Sequence, residues 1–333
     1  CQLLPDRPMI KEIHLGGGTP TFFSVAHLQQ LIQGILAKAI VAPEHEFSFE
    51  GHPNNTTREH LQALYDLGFR RVSYGVQDYN EKVQKAIHRI QPYEHVQRVT
   101  EWARDIGYTS ISHDLVFGLP FQNLEDVLHT IQQTTQLNPD RLAFYSYAHV
   151  PWIKGNGQRG FKDDDVPKDE LKRTLYEEGK KKLLAHGYHE IGMDHFALKS
   201  DAMYQAFQQG SLHRNFMGYT ASKTQLMIGL GLSSISDSWY SFAQNEKTLE
   251  DYYARLEQNE IPVFRGHVLT AEDLMIRRHI LNLMCSFQTS WAEPEMQFPE
   301  LPEVLKQLEE MQEDGLLTLF EDHLQVTEQG KPF

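Results

Sequence analysis

The sequence predicts an α/β fold over its first 150 residues, followed by a connecting region and a small, mostly α C-terminal domain with a hairpin. Three observations carry this. Short apolar runs alternate with helix-period stretches across residues 1–150, as the βα units of a parallel sheet do. Several of those runs end in glycine or in a polar side chain. From Leu269 onward the pattern changes to helix, helix, hairpin. At 333 residues, 40% of them apolar, the chain can bury the core of one large domain and a smaller one. The expected boundaries are 1–150, 151–265 and 266–333.

The first strand is Glu12 to Leu15, running into Gly16-Gly17-Gly18. A helix from Val25 to Ala37 places Leu28, Leu31, Ile32 and Ile35 on one face. Strand two is Glu46 to Glu50, before Gly51-His52-Pro53, and Thr57 starts a helix burying Leu61, Leu64 and Leu67. Strand three is Arg71 to Gln77. Strand four is Ser110 to Val116, closed by Gly118-Leu119-Pro120, and a helix with Leu128, Ile131 and Leu137 leads to strand five, Leu142 to Ala148. A Gly-rich, charged loop fills 151–168, then a helix runs from Lys168 to His186, whose Lys180-Lys181-Lys182 reads as a solvated face. Near the end, Thr270 to Asp273 has the form of a capping box. Leu274 to Met284 and Leu301 to Met311 form two helices, and Leu316 to Phe320 with His323 to Thr327 form the hairpin.

Helix, helix, hairpin is winged-helix-like. The net charge of −14, with Glu303, Glu309, Glu310 and Glu313 on the second helix, argues against nucleic acid as a partner. No run of about 18 apolar residues is present to cross a membrane. Two cysteines, Cys1 and Cys285, cannot form a disulfide framework, so a reducing, cytoplasmic setting is expected.

The chemistry is written at the strand ends. Glu50, Gln77, Asp114 and Tyr147 close successive strands, and in a β/α barrel those ends share the rim that carries function. The turn Gly16-Gly17-Gly18-Thr19-Pro20 brings main-chain N–H groups to a ligand with no Cβ in the way. It lacks the third glycine of a dinucleotide turn and the Lys-Ser/Thr pair of a P-loop. The fitting ligand is an amino-acid moiety, whose carboxylate and ammonium suit backbone N–H and C=O groups.

Seven segments then appear in order: L-G-G-G-T-P-T (15–21), S-F-E-G-H-P (48–53), S-Y-G-V-Q-D (73–78), H-D-L-V-F-G-L-P (113–120), L-N-P-D-R-L-A-F-Y-S-Y-A-H-V-P (137–151), G-M-D-H-F-A (192–197) and H-R-N-F-M-G-Y-T (213–220). Together they resemble the oxygen-independent coproporphyrinogen III oxidases, a family of radical S-adenosylmethionine (SAM) enzymes, from about residue 12 to the end of the chain. The resemblance implies a partial β/α (TIM-like) radical SAM barrel with SAM across its C-terminal rim. Gly17, Gly18 and Thr19 match the turn that holds the methionine end of SAM. Glu50, Gln77, Arg89 and Asp114 match polar SAM contacts, and Ala148 and Ile235 match contacts made through backbone or apolar surface.

The implied reaction converts two propionates of coproporphyrinogen III to vinyls, giving protoporphyrinogen IX. A reduced [4Fe-4S] cluster cleaves SAM, the 5′-deoxyadenosyl radical takes a β-hydrogen, carbon dioxide leaves, and one electron passes to an acceptor. An electron donor for the cluster is an implied partner, and the resemblance suggests a monomer. The family's C-x-x-x-C-x-x-C cluster loop is absent from this sequence, so the chain reads as a fragment lacking its first βα unit and C-terminal tail, inactive alone and without metal ligands. For the substrate carboxylates the candidates are Arg214, with His195 and Tyr147 as secondary ones. The residue match assigns no catalytic side chain. Two alternatives are a radical SAM haem chaperone and a metal-dependent β/α-barrel hydrolase using His113, Asp114, His149 and His195. R-N-F-x-G-Y-T favours the oxidase over the first, and the missing His-x-His pair disfavours the second.

Overall fold

A computed structural model describes residues 7–150, 161–223 and 225–332. Cys1 and the first ten residues of the Gly-rich loop lie outside the described residues. The chain divides into two compact units, Cys1–Glu190 with Asp194–Asp201, and Ile191–Met193 with Ala202–Phe333.

The first unit is built as β1 (Met9–Leu15), α1 (Val25–Leu36), β2 (Ile40–Gly51), α2 (Arg58–Asp66), β3 (Phe69–Gln77), α3 (Glu81–Ala86), α4 (Tyr93–Ile106), β4 (Ser110–Phe117), α5 (Leu124–Gln136), β5 (Arg141–Ser146) and α6 (Asp169–Ala185). β6 (His189–Gly192) and β7 (His195–Ala197) complete a seven-stranded sheet in the order β1-β2-β3-β4-β5-β7-β6. β1 to β5 pair in parallel, and β7 runs antiparallel to β5. The sheet curls into an open half-barrel, the partial β/α barrel that the resemblance implies.

The helices start where local chemistry allows. Ser24 accepts from His27 N at α1, and Thr57 and Asn123 form capping boxes with His60 and Asp126 at α2 and α5. Each helix buries one stripe against the convex face of the sheet. Leu28, Ile32, Leu61, Leu64, Val99 and Ala103 pack on Phe47, Phe49, Val72, Tyr74 and Ile111, and Val127, Ile131, Leu175 and Leu183 pack on Leu115, Phe117, Leu142 and Phe144. Side chains alternate across a strand, so the other face receives Glu12 and His14 from β1, Glu46, Ser48 and Glu50 from β2, Arg71 and Ser73 from β3, Ser110, Ser112 and Asp114 from β4, and Arg141 and Tyr145 from β5. The concave face is mostly polar, interrupted by Val116 on β4 and Ala143 on β5.

The second unit holds α7 (Ala202–Gln208), β8 (His213–Asn215), β9 (Gly218–Thr220), β10 (Leu226–Met227), β11 (Ile235–Ser238), β12 (Ser241–Asn245), α8 (Leu249–Glu257), β13 (Val263–Val268), α9 (Ala271–Ser286), β14 (Gln288–Ser290), α10 (Leu301–Glu313), β15 (Leu317–Leu319) and β16 (His323–Val326). β10 to β13 make a four-stranded antiparallel sheet, and the expected hairpin is two strands of a three-stranded sheet in the order β14-β16-β15. The Thr270–Asp273 capping box forms. One expectation fails on α6. Lys180 is not solvated, because its ammonium pairs with Glu190 at 2.8 Å with the two side chains 15% and 6% exposed. Among the described residues, no helix is long and apolar enough to cross a membrane.

Candidate active site on the concave face

The glycine turn leaves β1 with its backbone bare. A Cβ on Gly16 would sit 2.7 Å from His14 Nε2 and 2.9 Å from Glu50 Oε1, so those side chains close over that residue. Gly17 and Gly18 adopt φ of +77° and +134°, and nothing lies within 4 Å of where their Cβ atoms would be. The next two main-chain units are therefore open. The turn enters a 3-10 turn at Pro20–Phe22, and α1 begins only at Val25, so it owes its openness to the glycines and not to a helix end. His14 Nδ1 lies 2.9 Å from Ser48 Oγ, and its Nε2 is 3.5 Å from Glu50 Oε1.

A bulge displaces the end of β3: Gly75 pairs with Asp114, but Gln77 already pairs with Leu115. Gln77 takes φ of +67°, uncommon for a residue with a side chain. A Cβ on Gly75 would lie 2.7 Å from both Arg89 Nη2 and Gln77 Nε2, so these two side chains converge above it. Arg89 Nη2 donates to Gly75 O at 2.8 Å. On β4, Asp114 accepts from Ser73 Oγ at 3.0 and 3.1 Å. Burial pushes the Asp114 carboxyl up to about 6; the Ser73 hydrogen bond and Arg89 oppose this, and the charge of Glu50 adds to it. Burial also lowers Arg89, with Asp114 pulling the other way, and burial and Arg89 together lower His52.

Glu50, Gln77, Arg89 and Asp114 thus meet at the C-terminal ends of β2 to β4. Two carboxylates outnumber one guanidinium there, beside an open main-chain turn. This set suits a ligand that combines a positive centre and hydroxyls with an amino-acid end, and so it fits SAM. The cluster is different. Three thiolates are needed, and the sequence has two cysteines, of which Cys285 is half-buried in the second unit with its thiol pushed up to about 11 by burial. The chain's own donors do not fit a [4Fe-4S] cluster.

Tyr147 and Ala148 follow β5. Tyr147 N donates to Phe117 O at 2.9 Å, its carbonyl accepts from Lys172 Nζ at 2.8 Å, and its ring packs against His149 and Phe161. His195 sits on β7 opposite Ala143, its Nε2 3.4 Å from Tyr145 Oη, which places it on the concave face. Arg214 and Ile235 belong to the second unit. The Arg214 guanidinium lies 4.8 Å over the Tyr219 ring, a cation–π contact. Ile235 opens β11.

The hydrolase alternative fails on geometry. His113 and Asp114 are neighbours on one strand and so point to opposite faces. His113 is buried on the helix side, Nε2 3.0 Å from Thr100 Oγ1, with burial holding it down to about 3. His149 pairs with Asp163 at 3.0 Å. Among the described residues, no group of three His, Cys, Asp or Glu could hold a metal ion.

Strand-end reasoning missed His14, Ser48, Ser73 and Tyr145. A period-two reading finds them: E-x-H, E-x-S-x-E, R-x-S-x-G, S-x-S-x-D and R-x-A-x-Y are the same alternation in β1 to β5.

Residues 2–134 match the radical SAM superfamily, and residues 269–333 match the HemN C-terminal domain. The oxygen-independent coproporphyrinogen III oxidase of Helicobacter pylori is 38% identical over 96% of this chain and 71% of its own length. That of Synechocystis sp. is 36% identical over 99% of this chain and 72% of its own. The solved coproporphyrinogen III oxidase (HemN) from Escherichia coli, a radical SAM enzyme, superposes with a TM-score of 0.92 at 36% identity, covering 97% of this chain and 76% of that one. On that identity and coverage, the chain belongs to the oxygen-independent coproporphyrinogen III oxidase family of radical SAM enzymes.

Proposed function

We infer that the protein carries out the oxygen-independent oxidative decarboxylation of coproporphyrinogen III, turning two propionates into vinyls to give protoporphyrinogen IX. The observation that carries the reading is the convergence of Glu50, Gln77, Arg89 and Asp114 beside the open Gly17-Gly18 turn, in a chain 38% identical to an enzyme of that name. SAM, when bound, would supply the radical chemistry that removes a propionate β-hydrogen; the [4Fe-4S] cluster that would reduce it needs three thiolates, which this chain does not offer.

The chain's own residues bind and orient. The main chain of Gly17, Gly18 and Thr19 receives the methionine end of SAM, with Arg89 placed for its carboxylate. Glu50 and Asp114 offer acceptors to ribose hydroxyls or to a positive centre, and Gln77 offers an amide. Ala148 and Ile235 add backbone and apolar contact. Arg214, His195 and Tyr147 are the side chains for the substrate's carboxylates. An electron donor and an electron acceptor complete the reaction. The polar strand faces supply fixed dipoles in place of bulk water.

Equilibrium dialysis with labelled SAM tests the site: Arg89→Ala and Glu50→Gln should each weaken binding about tenfold or more, and unchanged binding in both would overturn the assignment. Anaerobic turnover by this chain joined to a C-x-x-x-C-x-x-C cluster-binding loop should release carbon dioxide from carboxyl-labelled coproporphyrinogen III only with SAM. A tight haem absorption band with no carbon dioxide would overturn the activity in favour of haem binding.

A further inference from the structure

Behind Gln77 and Arg89 lies a web of buried polar side chains that no substrate-facing role explains. Asp78 is 0% exposed, Gln91 1%, Gln122 3% and Gln84 5%. The Asp78 carboxylate accepts from Asn80 N at 2.6 Å and from Gln122 Nε2 at 2.6 Å. Gln122 is itself pinned, because its Nε2 also donates to Val116 O at 3.0 Å and its Oε1 accepts from Leu119 N at 3.2 Å. The loop after β3 is thereby tied to the loop after β4. The Asp78 carbonyl accepts from Gln84 Nε2 at 2.9 Å. That same nitrogen donates to Gln91 O at 2.8 Å, while Gln84 Oε1 accepts from Gln91 N at 2.9 Å. Gln91 Nε2 then donates to Gly75 O at 3.0 Å, the carbonyl that also receives Arg89. One line of hydrogen bonds runs from the Asp78 main-chain carbonyl through Gln84 and Gln91 to the carbonyl beneath Arg89, and the Asp78 carboxylate anchors the start of that line through Asn80 N and Gln122 Nε2.

We propose that Asp78 is a positioning residue for SAM binding, a buried carboxylate that fixes Gln77 in its left-handed conformation and Arg89 over Gly75. It rests on the reading that Gln77 and Arg89 contact SAM. Two demands make the choice of residue intelligible. Burying a carboxylate is costly, so a side chain kept here answers a need that a neutral one does not meet. The groups facing it, Asn80 N, Gln122 Nε2 and the Thr130 hydroxyl, are donors, and only a side chain that accepts through both oxygens satisfies them. An asparagine would turn its amide against the Gln122 amide. Gln122 cannot flip to accommodate it without losing both Leu119 N and Val116 O.

The test is SAM affinity at matched stability. Asp78→Asn should weaken SAM binding about tenfold or more. Gln122→Met, which removes the partner and leaves the carboxylate, should do the same and serves if Asp78→Asn does not fold. Thr100→Val, which deletes a buried hydrogen bond to His113 elsewhere in the same unit, is the control and should stay within about twofold of the parent. Parent-like affinity in Asp78→Asn, or in Gln122→Met where the first does not fold, overturns the proposal, as does an equal loss in Thr100→Val. If Gln77→Ala and Arg89→Ala both bind SAM like the parent, the underlying site reading falls instead.

Discussion

Asp114→Asn should stabilise the free protein and damage the site at once. In the fold, burial raises the carboxyl from its ordinary value of 3.8 to about 6. The gap of about two units corresponds to at most ~3 kcal/mol, at ~1.4 kcal/mol per unit. Asp114 is only partly buried, and its charge also attracts Arg89, so a net gain of ~1–2 kcal/mol is the working figure. The sign follows from proton counts. Between about pH 4 and 6 the folded chain keeps a proton that the unfolded chain has released, so stability falls as pH rises through that window and the full deficit stands above it. Asparagine removes the charge and still accepts from Ser73. Urea unfolding at pH 7.5 should give a higher midpoint for Asp114→Asn than for the parent. The gain should shrink as the pH is lowered from 6 toward 4, while SAM affinity at pH 7.5 drops. An equal or lower midpoint at pH 7.5, or a gain that grows in acid, would refute the argument that this carboxylate is held at a cost for a ligand.

Gly17→Ala forces a side chain into φ of +77° and fills the open space over the turn. It should lose ~1 kcal/mol of stability and most SAM binding, whereas Gly187→Ala, at φ of +87° with equally open space, should lose stability alone; calorimetry with both variants decides. His113, held down to about 3 by burial, makes the fold acid-sensitive. As pH falls below about 6.5 the unfolded chain takes up a proton that the folded chain refuses, so stability declines. His113→Gln should flatten that limb of the urea-midpoint profile.

The legible part of the fold is the part governed by local rules. The strand patterns before Gly16 and Gly51, the Thr57 and Thr270 caps, and the polar strand ends at Glu50 and Gln77 all need only neighbours in sequence, and the structure sets each in place, whereas Asp114 lies three residues inside the end of β4. What escapes needs distant partners. The sequence reading passes from β3 to β4 without α3 and α4, whose buried residues Val83, Val96 and Val99 are few among charged neighbours. β2 is twelve residues long where a five-residue apolar run is visible, because its first residues are mostly exposed and defined by pairing with β1. β10 to β13 carry little alternation, and their existence depends on each other. Lys180 reads as solvated until a strand brings Glu190 beneath it. In the site, the positions of His14 and Arg89 depend on what folds over Gly16 and Gly75, which no local pattern states.

The concave face also explains why the site lies where it does. A full β/α barrel fills its interior with apolar layers, and a parallel sheet is ordinarily covered on both sides. Here one face is mostly polar, with Val116 and Ala143 as apolar exceptions, and its two ends are treated differently. Toward the N-terminal ends of the strands, Arg71 pairs with Glu46, and Arg141 Nε meets Asp201 at 2.7 Å while Ser110 donates to the same carboxylate at 2.9 Å. Each of these guanidiniums finds a carboxylate partner within the fold, with Glu12 as a further carboxylate acting on Arg71. Toward the C-terminal ends, Glu50 and Asp114 outnumber Arg89 beside a bare glycine turn, so balance there waits for a ligand. Asp201→Asn separates the two roles. It leaves Arg141, whose side chain is 5% exposed, without its counter-charge and should cost ~3 kcal/mol in urea unfolding. SAM affinity should remain within about twofold of the parent, and a loss of affinity as large as that of Asp114→Asn would show that the two ends are one coupled system.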